Sequence, residues 1–325
     1  MKVKHASLIT LFAIPHFFLA QTYAPPVGQA GTTAMYKDSS AFVSWAINSK
    51  IVRGDEDVSN PSLGVVSVGD STMATGKAES NGVVSLGDGG SATCTFARPV
   101  MNGPGFDFAV FENSFDDTFL ELAFVEVSSD GVNFVRFPAH SLTDTVTQTA
   151  SFGSTDATKI NNLAGKYRGG YGTPFDLQEL AGKANLDIQA ITHIKIIDVV
   201  GSINDLYATR DSYGNKVNDP WPTAFSSGGF DLDAVGVMYE NLTTGLATNK
   251  LKDELLVYPN PINKTEKLNV NTDLVITALT VSDISGKVLL ASREKSLDIS
   301  QLKSGFYTLT ISINGEVAHR KIVVD

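Results

Sequence analysis

Short apolar runs separated by Gly, Asn, Asp or Pro recur along almost the whole chain, and apolar spacing of three and four residues is nearly missing. That combination confines the chain to β-structure, because a strand needs few residues between turn signals and a helix needs a longer periodic stretch. Residues 82–86, 91–96, 106–112, 120–128, 134–138, 193–200 and 232–238 are the expected strands of the first two thirds. Helix is expected only at 40–48 and 177–182. Many strands with regular turn punctuation predict an all-β, jelly-roll-type β-sandwich over residues 21–240.

A chain of 325 residues has room for a second domain and a leader. Residues 1–20 read as a signal peptide: Lys2 and Lys4 precede the apolar stretch 8–13 and Phe17-Phe18-Leu19, with cleavage expected after Ala20. No other segment approaches the apolar length of a membrane-spanning helix. Residues 241–253 are polar and unpatterned and read as a linker. The acidic excess lies in the first domain, where residues 21–253 hold 15 Lys plus Arg against 27 Asp plus Glu. Such a field repels phosphate backbones and anionic membranes, so nucleic acid and lipid are poor partners, whereas clustered carboxylates suit hard cations. The single cysteine, Cys94, shares strand parity with Ala92 and Phe96 and is expected to be an inert buried thiol.

Residues 254–325 alternate short apolar runs with tight turns, the pattern of a small immunoglobulin-like β-sandwich. Strands are expected at 268–270, 276–281, 287–290, 307–313 and 321–324. Gly286 and Gly315 mark two hairpin turns. Four motifs carry a resemblance: Val257-Tyr258-Pro259-Asn260-Pro261, Asp283-Ile284-Ser285-Gly286-Lys287-Val288, Leu302-Lys303-Ser304-Gly305-Phe306-Tyr307 and Lys321-Ile322-Val323-Val324. In order and spacing they resemble the type A sorting domain of type IX secretion. The resemblance implies recognition by the type IX machinery and export from a Gram-negative cell. It also implies removal of the domain, followed by release or attachment at the outer surface.

In the first domain, the hairpin Phe124-Val125-Glu126-Val127-Ser128-Ser129-Asp130-Gly131-Val132-Asn133-Phe134 resembles one found in discoidin-like and other galactose-binding-like sandwiches. Together with Gly87-Asp88-Gly89-Gly90-Ser91, 107–113 and 229–235, it resembles a family of exported bacterial surface proteins. Asp231 and Asp233 are two residues apart and are expected on one face of a strand. With Asp107, Glu112 and Asp198 they form a candidate calcium set, completed by backbone carbonyls; the alternative is that each acid caps a turn or pairs with Arg98, Arg136 or Arg168. Trp221 in a Pro-stiffened loop, and Tyr167, Arg168 and Tyr171 in a Gly-rich loop, are the candidate ligand contacts, since rigid aromatics suit sugar faces.

Catalytic signals are sparse. No zinc spacing, nucleophile elbow or phosphate cradle occurs, and Glu112, Glu121 and Glu126 are the acids available for a glycosidase pair. The expected function is therefore a non-catalytic, exported binding or adhesion module, calcium-stabilised, with a glycan as ligand. A polysaccharide-acting enzyme and a nutrient-capture protein serving an outer-membrane transporter are the alternatives.

Overall fold

The computed structural model describes residues 22–241 and 255–325, except 273, 285, 314 and 315. The expected signal peptide, and all but the first residue of the expected linker, lie outside the described residues. The chain divides into two units, Met1–Asn241 and Leu242–Asp325.

The first unit opens with β1 (Met35–Tyr36), β2 (Ser44–Trp45), β3 (Asn48–Val52), β4 (Val84–Ser85) and β5 (Ser91–Val100). Then follow β6 (Phe108–Glu112), β7 (Ala123–Ser128), β8 (Val135–Arg136), β9 (His140–Ser141) and β10 (Ile160–Asn161). It closes with β11 (Tyr171–Phe175), β12 (Ile191–Asp198) and β13 (Asp231–Val237). One sheet runs β1-β11-β6-β13-β2, with β4 also on β13. The other runs β3-β5-β12-β7-β8, and β9 with β10 forms a separate ribbon.

Strand alternation explains why these strands pack as a sandwich. Phe108 and Val110 of β6, Val235 and Val237 of β13, Ala92 and Cys94 of β5, and Ile194 and Ile196 of β12 share one buried core. The first sheet is covered on its other side too: Ala109 and Phe111 pack with Ala234, Phe42 and Trp45. Hence β6 and β13 are buried along their whole length and read as continuous apolar runs. Outside the second sheet, Phe124 joins Leu120, Leu122, Leu163 and Val217 in a smaller cluster under the loops. Cys94 is fully buried, and burial pushes its thiol up to about 12, as expected of an inert core residue.

The helix expected at 40–48 is replaced by β2 and the start of β3. There Val43 and Ala46 donate backbone hydrogen bonds to Val237 and Val235, so sheet pairing overrides the local pattern. The segment expected at 177–182 forms a 3-10 helix over Leu177–Leu180. The Asp130-Gly131 hairpin is present: Asp130 accepts from the backbone N–H groups of Val132 and Asn133, which holds its carboxyl well below the usual range.

The second unit has β14 (Leu256–Tyr258), β15 (Lys267–Asn271), β16 (Ile276–Ser282), β17 (Val288–Ser292), β18 (Ser296–Asp298), β19 (Gly305–Ile313) and β20 (Glu316–Val324). A sheet β14-β15-β18 accompanies a sheet β17-β16-β19-β20, and their inner faces share one core around Leu279, Leu309 and Ile311. Asn260 explains the opening motif: its amide donates to the Lys321 carbonyl at 2.9 Å and accepts from Val323 N–H at 2.9 Å. The motif thus clasps the last strand, with Tyr258-Pro259 and Asn260-Pro261 both in the cis form. Gly286 sits at φ +84° in the turn after β16, a conformation that L side chains rarely adopt.

Candidate functional site

The five candidate calcium ligands do not converge. Asp107 lies just before β6, where it accepts from Gly103 N–H at 2.6 Å and from Leu177 N–H, in the first turn of the 3-10 helix, at 2.7 Å. Asp198 accepts from Phe230 N–H at 2.7 Å and Gly89 N–H at 3.0 Å, tying the Gly87–Gly90 loop to β13. Gly229 allows that approach, since it holds φ +70° and a Cβ there would lie 2.7 Å from Asp198 Oδ1.

Asp231 and Asp233 part company because β13 is irregular between them: Leu232 pairs with Glu112, but Ala234 pairs with Phe111. Asp231 accepts from the Ser85 hydroxyl, while Asp233 accepts from Glu79 N–H at 3.0 Å. Among the described residues, no group of three or more His, Cys, Asp or Glu is arranged to hold a metal ion.

Two of the five do meet, and with a third acid. Glu112 ends β6 beside Asp231, and Glu121 lies close to both. Glu112 is fully buried; its Oε2 accepts from Ser114 N–H at 2.8 Å, but its Oε1 has no hydrogen-bond partner. Burial and then the neighbouring Asp231 push its carboxyl well above the usual range. Burial, followed by Glu112 and Asp231, does the same to Glu121, and burial raises Asp231 to about 6. Arg53 lies near enough to favour the ionised form of Asp231, but it donates to the carbonyls of Val68, Gly69 and Ser85 rather than to the acid. Among the described residues, none of the three carboxylates has an ion-pair partner.

Glu121 and Asp231 line a cavity of about 250 Å³ together with Asn113 and four phenylalanines. The four come from three loops: Phe115 and Phe119 between β6 and β7, Phe152 between β9 and β10, and Phe225 before β13. Their rings form a chain with centroids 5.7 Å, 6.1 Å and 5.7 Å apart. Phe115 is 82% exposed and Phe152 73% exposed, so these rings face solvent from polar loops. Among the described residues, no Lys, Arg or His lines the cavity.

None of the aromatic candidates lines this pocket. Tyr167 is buried, with its hydroxyl on Thr33, which removes it from any ligand surface. Arg168 pairs with Asp117 at 2.6 Å, and Gly169 N–H donates to the Ser114 carbonyl, so the Gly-rich loop holds the Phe115 loop in place. Tyr171 packs against Tyr36 at the start of β11, with Arg168 over its ring. Trp221 is half-buried; its ring N–H donates to Asp88 and its backbone N–H to Thr149. The remaining arginines, Arg98 and Arg136, pair with Glu240 and Glu126. Glu126, paired with Arg136, does not line the cavity that Glu121 and Asp231 share.

Residues 256–325 match the family model of the secretion system C-terminal sorting domain. The second unit is a type IX sorting domain. It indicates export through the type IX machinery, with placement at the cell surface or release. Among the described residues, no helix is long and apolar enough to cross a membrane. No curated protein matches the chain. Among solved structures, a biofilm associated protein BSP domain is similar at 11% identity and TM-score 0.20, covering 88% of this chain and 53% of its own. A beta-glucuronidase from an uncultured Clostridium sp. is similar at 10% identity and TM-score 0.20, covering 88% and 45%. The chain thus spans about half the length of each, and likeness this low carries no weight for fold or function.

Proposed function

We propose that the first unit is an exported, non-catalytic binding module whose site is the phenylalanine-rimmed pocket, and that its ligand presents an organic ammonium group. The observation that carries this reading is the pairing of two carboxylates, neither with an ion-pair partner, and four ring faces around one small cavity. Ring faces are negative, the Asp231 carboxylate is ionised at neutral pH, and no Lys, Arg or His among the described residues lines the wall, so the cavity favours positive charge. A cavity of about 250 Å³ admits a small head group, such as an alkylammonium or the amine of an amino sugar. The second form keeps a glycan as the carrier of the ligand.

Calorimetric titration of the full chain with glucosamine, N-acetylglucosamine and tetramethylammonium tests the reading. Binding of the two cations without the neutral amide supports it. Equal binding of glucosamine and its acetylated form, or binding of neither cation, overturns it.

Glycoside hydrolysis is a second reading, favoured by one observation: Glu121, held toward its protonated form, shares a cavity with the more readily ionised Asp231. Release of chromophore from aryl glycosides that Glu121→Gln abolishes would support it. No release by the unmodified chain would dismiss it.

A further inference from the structure

A second site of opposite charge lies on the outer face of the second sheet. It is a groove of about 530 Å³. Register places its side chains in rows across the strands. Asn48, Thr95 and His193 form one row, and Lys50, Thr93 and Lys195 form the next. Phe134 stands at its edge, with Lys195 Nζ 5.5 Å from the ring centroid.

Charge sets the groove apart. The surrounding segment 21–253 carries twelve more acids than bases, yet among the described residues no Asp or Glu lines the groove, and Lys50 and Lys195 do. Lys50 is exposed and has no ion pair among the described residues. Lys195 Nζ is 3.9 Å from Glu126, but that carboxylate is already held by Arg136 at 2.8 Å and 3.0 Å. The two lysines sit on β3 and β12 with β5 between them, which sets their backbones about 10 Å apart at ordinary strand spacing. Between them are Thr hydroxyls and beside them an amide, groups that both donate and accept.

We infer that this groove binds an anionic, hydroxyl-rich polymer, a polysaccharide bearing carboxylates. The lysines meet spaced carboxylates, the Thr and Asn side chains meet sugar hydroxyls, and Phe134 offers a ring face to a sugar. The acidic remainder of the unit repels the same polymer, which confines it to this stripe and fixes where it lies. The site is independent of the phenylalanine pocket, since it uses another sheet and the opposite charge.

The test is binding of the full chain to immobilised polygalacturonate, to its methyl-esterified form, to single-stranded DNA and to phosphatidylserine vesicles, at low and physiological salt. Expected are retention on polygalacturonate that weakens with salt, and little retention on the neutral ester. The double variant Lys50→Gln/Lys195→Gln should lose about tenfold in affinity while its tryptophan fluorescence stays that of the folded chain. Equal binding to the ester, unchanged affinity in the double variant, or tighter binding to DNA or vesicles than to polygalacturonate would each overturn the assignment.

Discussion

Replacing Asp231 by Asn should make the first unit more stable while removing its ligand. Asp231 is buried at the floor of the pocket, and its carboxyl is raised from 3.8 to about 6. An acid whose pKa is higher in the folded state lowers stability as pH rises from its unfolded value through its folded one. Below about pH 4 the folded and unfolded chains both carry the proton and the group contributes nothing; above about pH 6 its full cost is present. The difference of about two units corresponds to about 3 kcal/mol. Asn keeps an oxygen for the Ser85 hydroxyl and has no charge to desolvate, so Asp231→Asn should recover up to about 3 kcal/mol at neutral pH and almost none near pH 4. Both tryptophans, Trp45 and Trp221, lie in the first unit, so urea unfolding followed by their fluorescence reports on that unit within the full chain. Equal destabilisation at both pH values would refute the reasoning, since it would show the carboxylate to be stabilising as it stands.

Four further outcomes follow. Phe152→Ala should leave the unfolding midpoint unchanged, because the ring is mostly exposed, and should weaken cation binding about tenfold in calorimetry. Asp198→Ala should cost about 2 kcal/mol in urea unfolding, since it leaves the buried N–H of Phe230 without an acceptor and releases the tie to Gly89 N–H. Cys94 should react with a thiol reagent only when the first unit unfolds, with reactivity and fluorescence changing together. Asn260→Ala should destabilise the sorting domain by about 1–2 kcal/mol, read by amide exchange along β20, and should lower the amount of protein exported.

Much of the fold is legible in local pattern. The strands around Cys94, Val125, Ile196 and Val235 follow from apolar runs between turn residues, and the sorting domain from its four motifs. The segment around Trp45 is not legible, because its strand exists only through hydrogen bonds to β13, far away in sequence. The same holds for the acids. Alternation along a regular strand puts Asp231 and Asp233 on one face, and only the irregular pairing with β6 sends them to different neighbours. Asp107 and Asp198 looked like free ligands because nothing in the sequence reveals that backbone N–H groups of Leu177 and Phe230 meet them.

The pocket aromatics were missed for a related reason. Trp221, Tyr167 and Tyr171 are rigid rings beside Pro and Gly, yet none of them lines the cavity. Phe115 and Phe152 each stand between polar or small residues, and a large apolar side chain in such a loop is the feature of the sequence that points to the cavity.

The measurement that bears most directly on the ammonium pocket is the affinity of the full chain for tetramethylammonium as a function of pH. Cation binding to an ionised Asp231 should be strongest above about pH 6 and weaken about tenfold per unit below it, with no binding left in Asp231→Asn. An affinity that stays constant through this range, or that survives in Asp231→Asn, would contradict the account.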